Sequence, residues 1–142
     1  MTCSGGGLLL PDIVNENQQA GETRQSILVV DDEELVRNFM KRVLTVAGYQ
    51  VITASSGDEA MAVLGSKAVA LVITDIRMPG MDGRDLGALI SKLPLAPPVM
   101  YASASDHPPT GKGSHYLPKP FKGSELVKMA QDVMGQHRNP DQ

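Results

Sequence analysis

The patterned part of the chain opens at Ile27-Leu28-Val29-Val30, a continuous apolar run of strand length. A run without polar alternation has no solvent face, so it fits a parallel strand covered on both sides. The period then changes. Leu35, Val36, Phe39, Met40, Val43, Leu44 and Ala47 recur at helical spacing, and Gly48 supplies a stop. Residues 49–53 read as a short strand. Ser56-Gly57-Asp58-Glu59 has the form of a capping box and predicts a helix that ends near Gly65. Residues 69–74 are a further apolar run, closed by Asp75. The turn Met78-Pro79-Gly80-Met81-Asp82-Gly83 follows, and Leu86, Leu89, Ile90 and Leu93 predict a third helix. Residues 98–102 and 115–118 read as strands. Leu126, Val127, Ala130, Val133 and Met134 give a closing helix. Strands alternating with helices predict an α/β fold, a parallel sheet with helices on both faces.

Before this pattern, residues 1–25 are rich in Gly, Asn, Gln and Glu and show no sustained period, which predicts a flexible leader. The domain is expected over 26–137, with a disordered tail at 138–142. A chain of 142 residues with 42% hydrophobic residues suits one domain with a real core. Cys3 is the only cysteine, so no disulfide within the chain is possible. A net charge of −3 without a basic cluster argues against a nucleic-acid partner. Leu8-Leu9-Leu10 is too short to span a bilayer, and no Lys or Arg precedes it as in a secretory signal. The expectation is a cytoplasmic protein without a membrane partner.

In open α/β sheets, ligands bind at the carboxyl ends of the strands, so the residues that close each apolar run are the informative ones. The first run closes in Asp31-Asp32, the third in Asp75, the fourth in Ser103, and the fifth is followed by Lys119. One carboxylate after a strand is most often a turn former or a helix cap. Three at one edge repel each other unless a cation neutralises them. Hard oxygen donors of this kind suit Mg²⁺, which keeps waters and leaves room for phosphate oxygens. A lysine and a serine beside such a metal supply the second positive charge and the hydroxyl donor that a phosphoryl group needs.

With these residues in view, the chain resembles the receiver domains of two-component response regulators. The matching pieces are Val29-Val30-Asp31-Asp32-Glu33, Asp75-Ile76-Arg77-Met78-Pro79-Gly80-Met81-Asp82-Gly83, Ser103-Ala104 and Lys119-Pro120-Phe121, in family order. The resemblance implies a flavodoxin-like fold with five parallel strands in order 2-1-3-4-5. It implies that Asp75 accepts a phosphoryl group from a histidine kinase or a histidine phosphotransfer domain. Asp32 and Asp75 would bind Mg²⁺ directly, Asp31 mainly through water, and the backbone carbonyl of Arg77 would complete the protein ligands. Lys119 would pair with the phosphoryl group, Ser103 would hydrogen-bond it, and Tyr116 matches the aromatic switch residue. The domain would turn over no metabolite, signal to an output partner, and exist as a monomer or weak dimer.

One stretch departs from the family pattern. Between Ser103 and Tyr116, Pro108 and Pro109 block a helix interior, Gly111 and Gly113 weaken one, and Ala104 is the sole apolar side chain. The fourth helix of the family is therefore expected to be missing or reduced to a turn. Two other functions compete. An aspartyl-phosphate hydrolase of the haloacid dehalogenase type needs a second Asp two residues after its nucleophile, where Arg77 stands. A pseudo-receiver that binds partners without phosphate is the other, and the set Asp31, Asp32, Asp75, Ser103 and Lys119 argues against it.

Overall fold

In the computed structural model, which describes residues 25–104 and 115–138, the apolar runs become strands. They are β1 (Ser26–Val30), β2 (Gln50–Ala54), β3 (Leu71–Thr74), β4 (Val99–Ser103) and β5 (His115–Pro118). All pair in parallel, in the order β2-β1-β3-β4-β5, which is the expected 2-1-3-4-5. The helices among the described residues are α1 (Glu34–Val46), α2 (Gly57–Ser66), α3 (Gly83–Ser91) and α4 (Gly123–Arg138).

The lack of alternation in β1 and β3 has the predicted cause. Both strands are central, and helices cover both faces. Ile27, Val29, Leu71 and Ile73 pack with Met40 and Leu44 of α1 and with Leu126, Ala130 and Val133 of α4. Leu28, Val30 and Val72 point the other way, onto Ala60 of α2 and Leu86 and Ile90 of α3. Successive strand residues thus feed opposite cores.

The helix ends follow local chemistry with two departures from expectation. Gly48, at φ +105°, ends α1 as predicted, and Tyr49 N–H closes back on Leu44 O at 3.1 Å. However, Leu35 is 84% exposed and Phe39 43% exposed, so the apolar stripe of α1 is wider than the face it buries. In α2, Ser56 Oγ accepts from Glu59 N–H at 3.1 Å, as an N-cap should. The return half of the box lands one residue early, because Glu59 Oε1 accepts from the amide and the hydroxyl of Ser55.

The full capping box belongs to α3, where Asp82 accepts from Asp85 N–H and Asp85 accepts from Asp82 N–H. Asp82→Ala is expected to lower stability by about 1 kcal/mol, since it leaves an amide of the first turn without a partner. Urea unfolding monitored by circular dichroism measures it, and an unchanged midpoint would assign the cap no weight.

The proposed leader and tail, and the expected loss of a helix between Ser103 and Tyr116, fall mainly on residues 1–24, 139–142 and 105–114. These lie outside the described residues. Among the described residues, no helix is long and apolar enough to cross a membrane.

Candidate functional site

Strand ladders deliver the acidic residues to one edge. The ladder of β1 with β2 runs one residue past the strand end, through Asp31 N–H to Ala54 O at 3.2 Å. Likewise Asp75 N–H reaches Val30 O at 3.0 Å, and Lys119 N–H reaches Ser103 O at 3.0 Å. Asp31, Asp75 and Lys119 are therefore held by sheet hydrogen bonds rather than by loops. One oxygen from each of Asp31, Asp32 and Asp75 lies within 4.8 Å of the others. The cleft beside them is lined by Asp32, Asp75, Arg77, Ser103 and Lys119.

The charges are arranged around one ammonium. Lys119 Nζ donates to Asp31 Oδ2 at 2.9 Å and to Asp75 Oδ2 at 3.3 Å. Asp31 is fully buried, with Oδ1 taken by the Glu33 amide at 2.9 Å. Asp75 Oδ1 accepts from its neighbour's amide, Ile76 N–H, at 2.7 Å. Burial pushes the Asp31 carboxyl above the ordinary aspartate value. The Glu33 amide and Lys119 oppose that rise, and the charge of Asp75 adds to it. Burial works against the Lys119 ammonium too, but the hydrogen bonds and charges of Asp31 and Asp75 outweigh it and raise its pKa. The two rises differ in origin: burial dominates at Asp31, while the two carboxylates prevail over burial at Lys119. A divalent cation fits this donor set, hard oxygens with uncompensated negative charge.

The other candidates fall on or near the same edge. Ser103 is buried, and its carbonyl accepts from Tyr116 Oη at 2.9 Å. Tyr116 is half-buried and stands in register with Tyr101 on the adjacent strand. Arg77 is exposed on the rim. The peptide between Lys119 and Pro120 is cis. Met78 and Met81, in the turn after Asp75, are packing residues: Met78 is buried and Met81 packs against the same core.

Three contributors escaped sequence reasoning. The Glu33 amide and Arg37 Nη1 both bond Asp31, the latter through its carbonyl at 2.8 Å. Gly83 packs against the backbone of Asp75 and Ile76 so closely that a Cβ would overlap the Asp75 carbonyl oxygen. Gly83 stood inside the matching motif, which was the available signal. Arg37 carried none, because helical periodicity says nothing about a backbone acceptor six residues earlier, ahead of the helix.

Comparison with known proteins agrees with this geometry. Residues 27–131 match the model of the response regulator receiver domain. A probable transcriptional regulator, ycf27 of Pyropia yezoensis, is 34% identical over 116 residues, covering 78% of this chain and 48% of that protein. The chain spans about half the length of such curated relatives. A CheY-like receiver domain protein from Methanospirillum hungatei JF-1 superposes with a TM-score of 0.72 at 30% identity, over 81% of this chain and 98% of the other. The response regulator TrrA of Thermotoga maritima, solved in complex with Mg²⁺ and beryllofluoride, gives 0.70 at 32% identity, over 77% and 98%. With strand order, acidic edge and sequence match in agreement, this chain belongs to the response regulator receiver domain family.

Proposed function

We propose that Asp75 is the phosphoacceptor of this receiver domain and that Asp32, Asp75 and the Arg77 carbonyl hold Mg²⁺ beside it. The observation that carries the reading is the position of Lys119 Nζ, bridging Asp31 and Asp75 at the mouth of a three-carboxylate cleft. Asp31 has both oxygens engaged, by the Glu33 amide and Lys119, which suits a role through water. Likeness to a solved receiver holding Mg²⁺ and beryllofluoride supports the choice of metal.

Ile76 N–H holds Asp75 Oδ1, so Oδ2, on the Lys119 side, is the attacking oxygen. It forms the new O–P bond as the P–N bond of a donor phosphohistidine breaks, and the imidazole leaves. Lys119 follows the charge on the transferring oxygens, and the Ser103 hydroxyl donates to them. Mg²⁺, when bound, supplies further positive charge at the same oxygens. The rim beside Lys119 is apolar, formed by Leu35, Phe39, Pro120 and Phe121, and gives a histidine kinase or phosphotransfer domain a surface to meet. Water later removes the phosphoryl group, so the domain modifies and demodifies itself without consuming a metabolite.

Incubation with acetyl phosphate, with and without Mg²⁺, tests this by intact mass. The expected result is one added phosphoryl group, in the presence of Mg²⁺ only. No gain in either condition, from a folded protein, would overturn the reading.

A further inference from the structure

Asp31 and Asp32 sit where β1 turns into α1, and beyond the Asp31 amide the sheet ladder no longer holds the chain. The direction of Asp32 therefore depends on the peptide that joins the two aspartates. That peptide's oxygen, the Asp31 carbonyl, accepts a 2.8 Å hydrogen bond from Arg37 Nη1. Asp31 is fully buried, so its carbonyl has no water to turn to. Arg37 is half-buried in α1, so the guanidinium works from a partly packed side chain.

We infer that Arg37 is a positioning residue for Mg²⁺-dependent phosphorylation: by holding the Asp31 carbonyl it sets the Asp31–Asp32 peptide plane and keeps the Asp32 carboxylate within reach of Asp75. This rests on the proposed metal site and adds a residue that does not touch it. Without the guanidinium, the peptide rotates to find another donor and carries Asp32 with it. Metal affinity falls first. Asp75, held by β3, β1 and Lys119, keeps its place.

Arg37→Met keeps the aliphatic stem and removes the donors, while Arg37→Lys keeps a charged donor of similar reach. Mg²⁺ affinity is measured by amide NMR titration, and acetyl phosphate phosphorylation is followed over a range of Mg²⁺. The methionine variant is expected to bind Mg²⁺ about tenfold more weakly, the scale for losing a group that orients a ligand. Its phosphorylation rate is expected to recover at high Mg²⁺, and Arg37→Lys to regain part of the lost affinity. Unchanged Mg²⁺ affinity in a folded Arg37→Met protein overturns the inference. So does a rate that stays low at saturating Mg²⁺ with a raised acetyl phosphate requirement, which would make Arg37 a charge for the donor. If Arg37→Met does not fold, Arg37→Gln, too short to reach the carbonyl, is judged by the same criteria. Failure of the wild type itself to bind Mg²⁺ or take up phosphate would instead sink the site assignment, so the two failures are distinguishable.

Discussion

Asp75→Asn abolishes Mg²⁺-dependent phosphorylation while leaving the fold within about 2 kcal/mol of the wild type: this is the expected result, and two opposing charge effects set it. The asparagine oxygen can still accept from Ile76 N–H, so the 2.7 Å bond and the turn it fixes survive. The lost carboxylate removes an attraction to Lys119 at 3.3 Å. It also removes repulsion from Asp31 and Asp32, whose oxygens lie within 4.8 Å. At an effective dielectric of about 20 the attraction is roughly 5 kcal/mol and each of the two repulsions roughly 3.5 kcal/mol, with opposite signs, so about 2 kcal/mol remains in the difference before the exposure of Asp32 screens it further.

The same substitution has a pH signature. The folded-state pKa of Asp31 is raised by burial first, with the Asp75 charge as a contributing cause. A carboxyl with a raised folded pKa contributes stability that is present at low pH and is lost as pH rises through the folded value. Removing the Asp75 charge lowers that pKa, so the loss shrinks and the variant gains on the wild type toward neutral pH. Urea midpoints from acid to neutral pH, with intact mass after acetyl phosphate treatment, check both halves. A variant that gains the phosphoryl group at the wild-type rate would falsify the assignment of Asp75. Midpoints that fall further behind the wild type as pH rises would show that the Lys119 attraction outweighs the repulsion.

Gly83→Ala is expected to destabilise the protein by about 2–3 kcal/mol, the upper range for overpacking, and to slow phosphorylation far more than its stability loss explains. An added Cβ overlaps the Asp75 carbonyl oxygen and lies 2.8 Å from Ile76 Cα. These are backbone atoms at the end of β3, so no side-chain rotation relieves the overlap. The close approach is fixed from both sides, because Gly83 N–H donates to Ile76 O at 2.8 Å and Asp82 caps α3 directly before it. Either α3 moves away and gives up that bond, or the Asp75–Ile76 peptide shifts and misaims the proposed phosphoacceptor. Gly65→Ala is the control. Gly65 lies in α2 with open space around its Cβ position, so alanine there is expected to be neutral or to add up to about 1 kcal/mol of helix stability. Comparing chemical denaturation and initial phosphorylation rates of the two variants decides the matter. A Gly83→Ala protein as stable and as fast as Gly65→Ala would show that the overlap is relieved without cost.

The order of elements and the members of the acidic edge were legible in the residues alone. Ile27–Val30 and Leu71–Thr74 announce buried parallel strands because no polar position interrupts them. In a parallel sheet every such run ends on the same side, so Asp31, Asp32, Asp75, Ser103 and Lys119 had to share one edge. What tertiary structure alone decided were relations between atoms far apart in the chain. Periodicity placed Leu35 and Phe39 on the apolar stripe of α1, yet both are substantially exposed and line the apolar rim beside Lys119. A stripe records which side chains are apolar, not how far the sheet beneath them extends. The Ser56-x-x-Glu59 signature specified the cap, but whether Glu59 closes on Ser56 or Ser55 depends on the backbone leaving β2. Arg37 on the Asp31 carbonyl has no residue-type signal, and the motif that contains Gly83 does not say what it packs against, since both are contacts with backbone atoms that every residue carries. Residue types set which groups meet at the cleft, and the register of β1 against β3, Val30 beside Thr74, sets how closely.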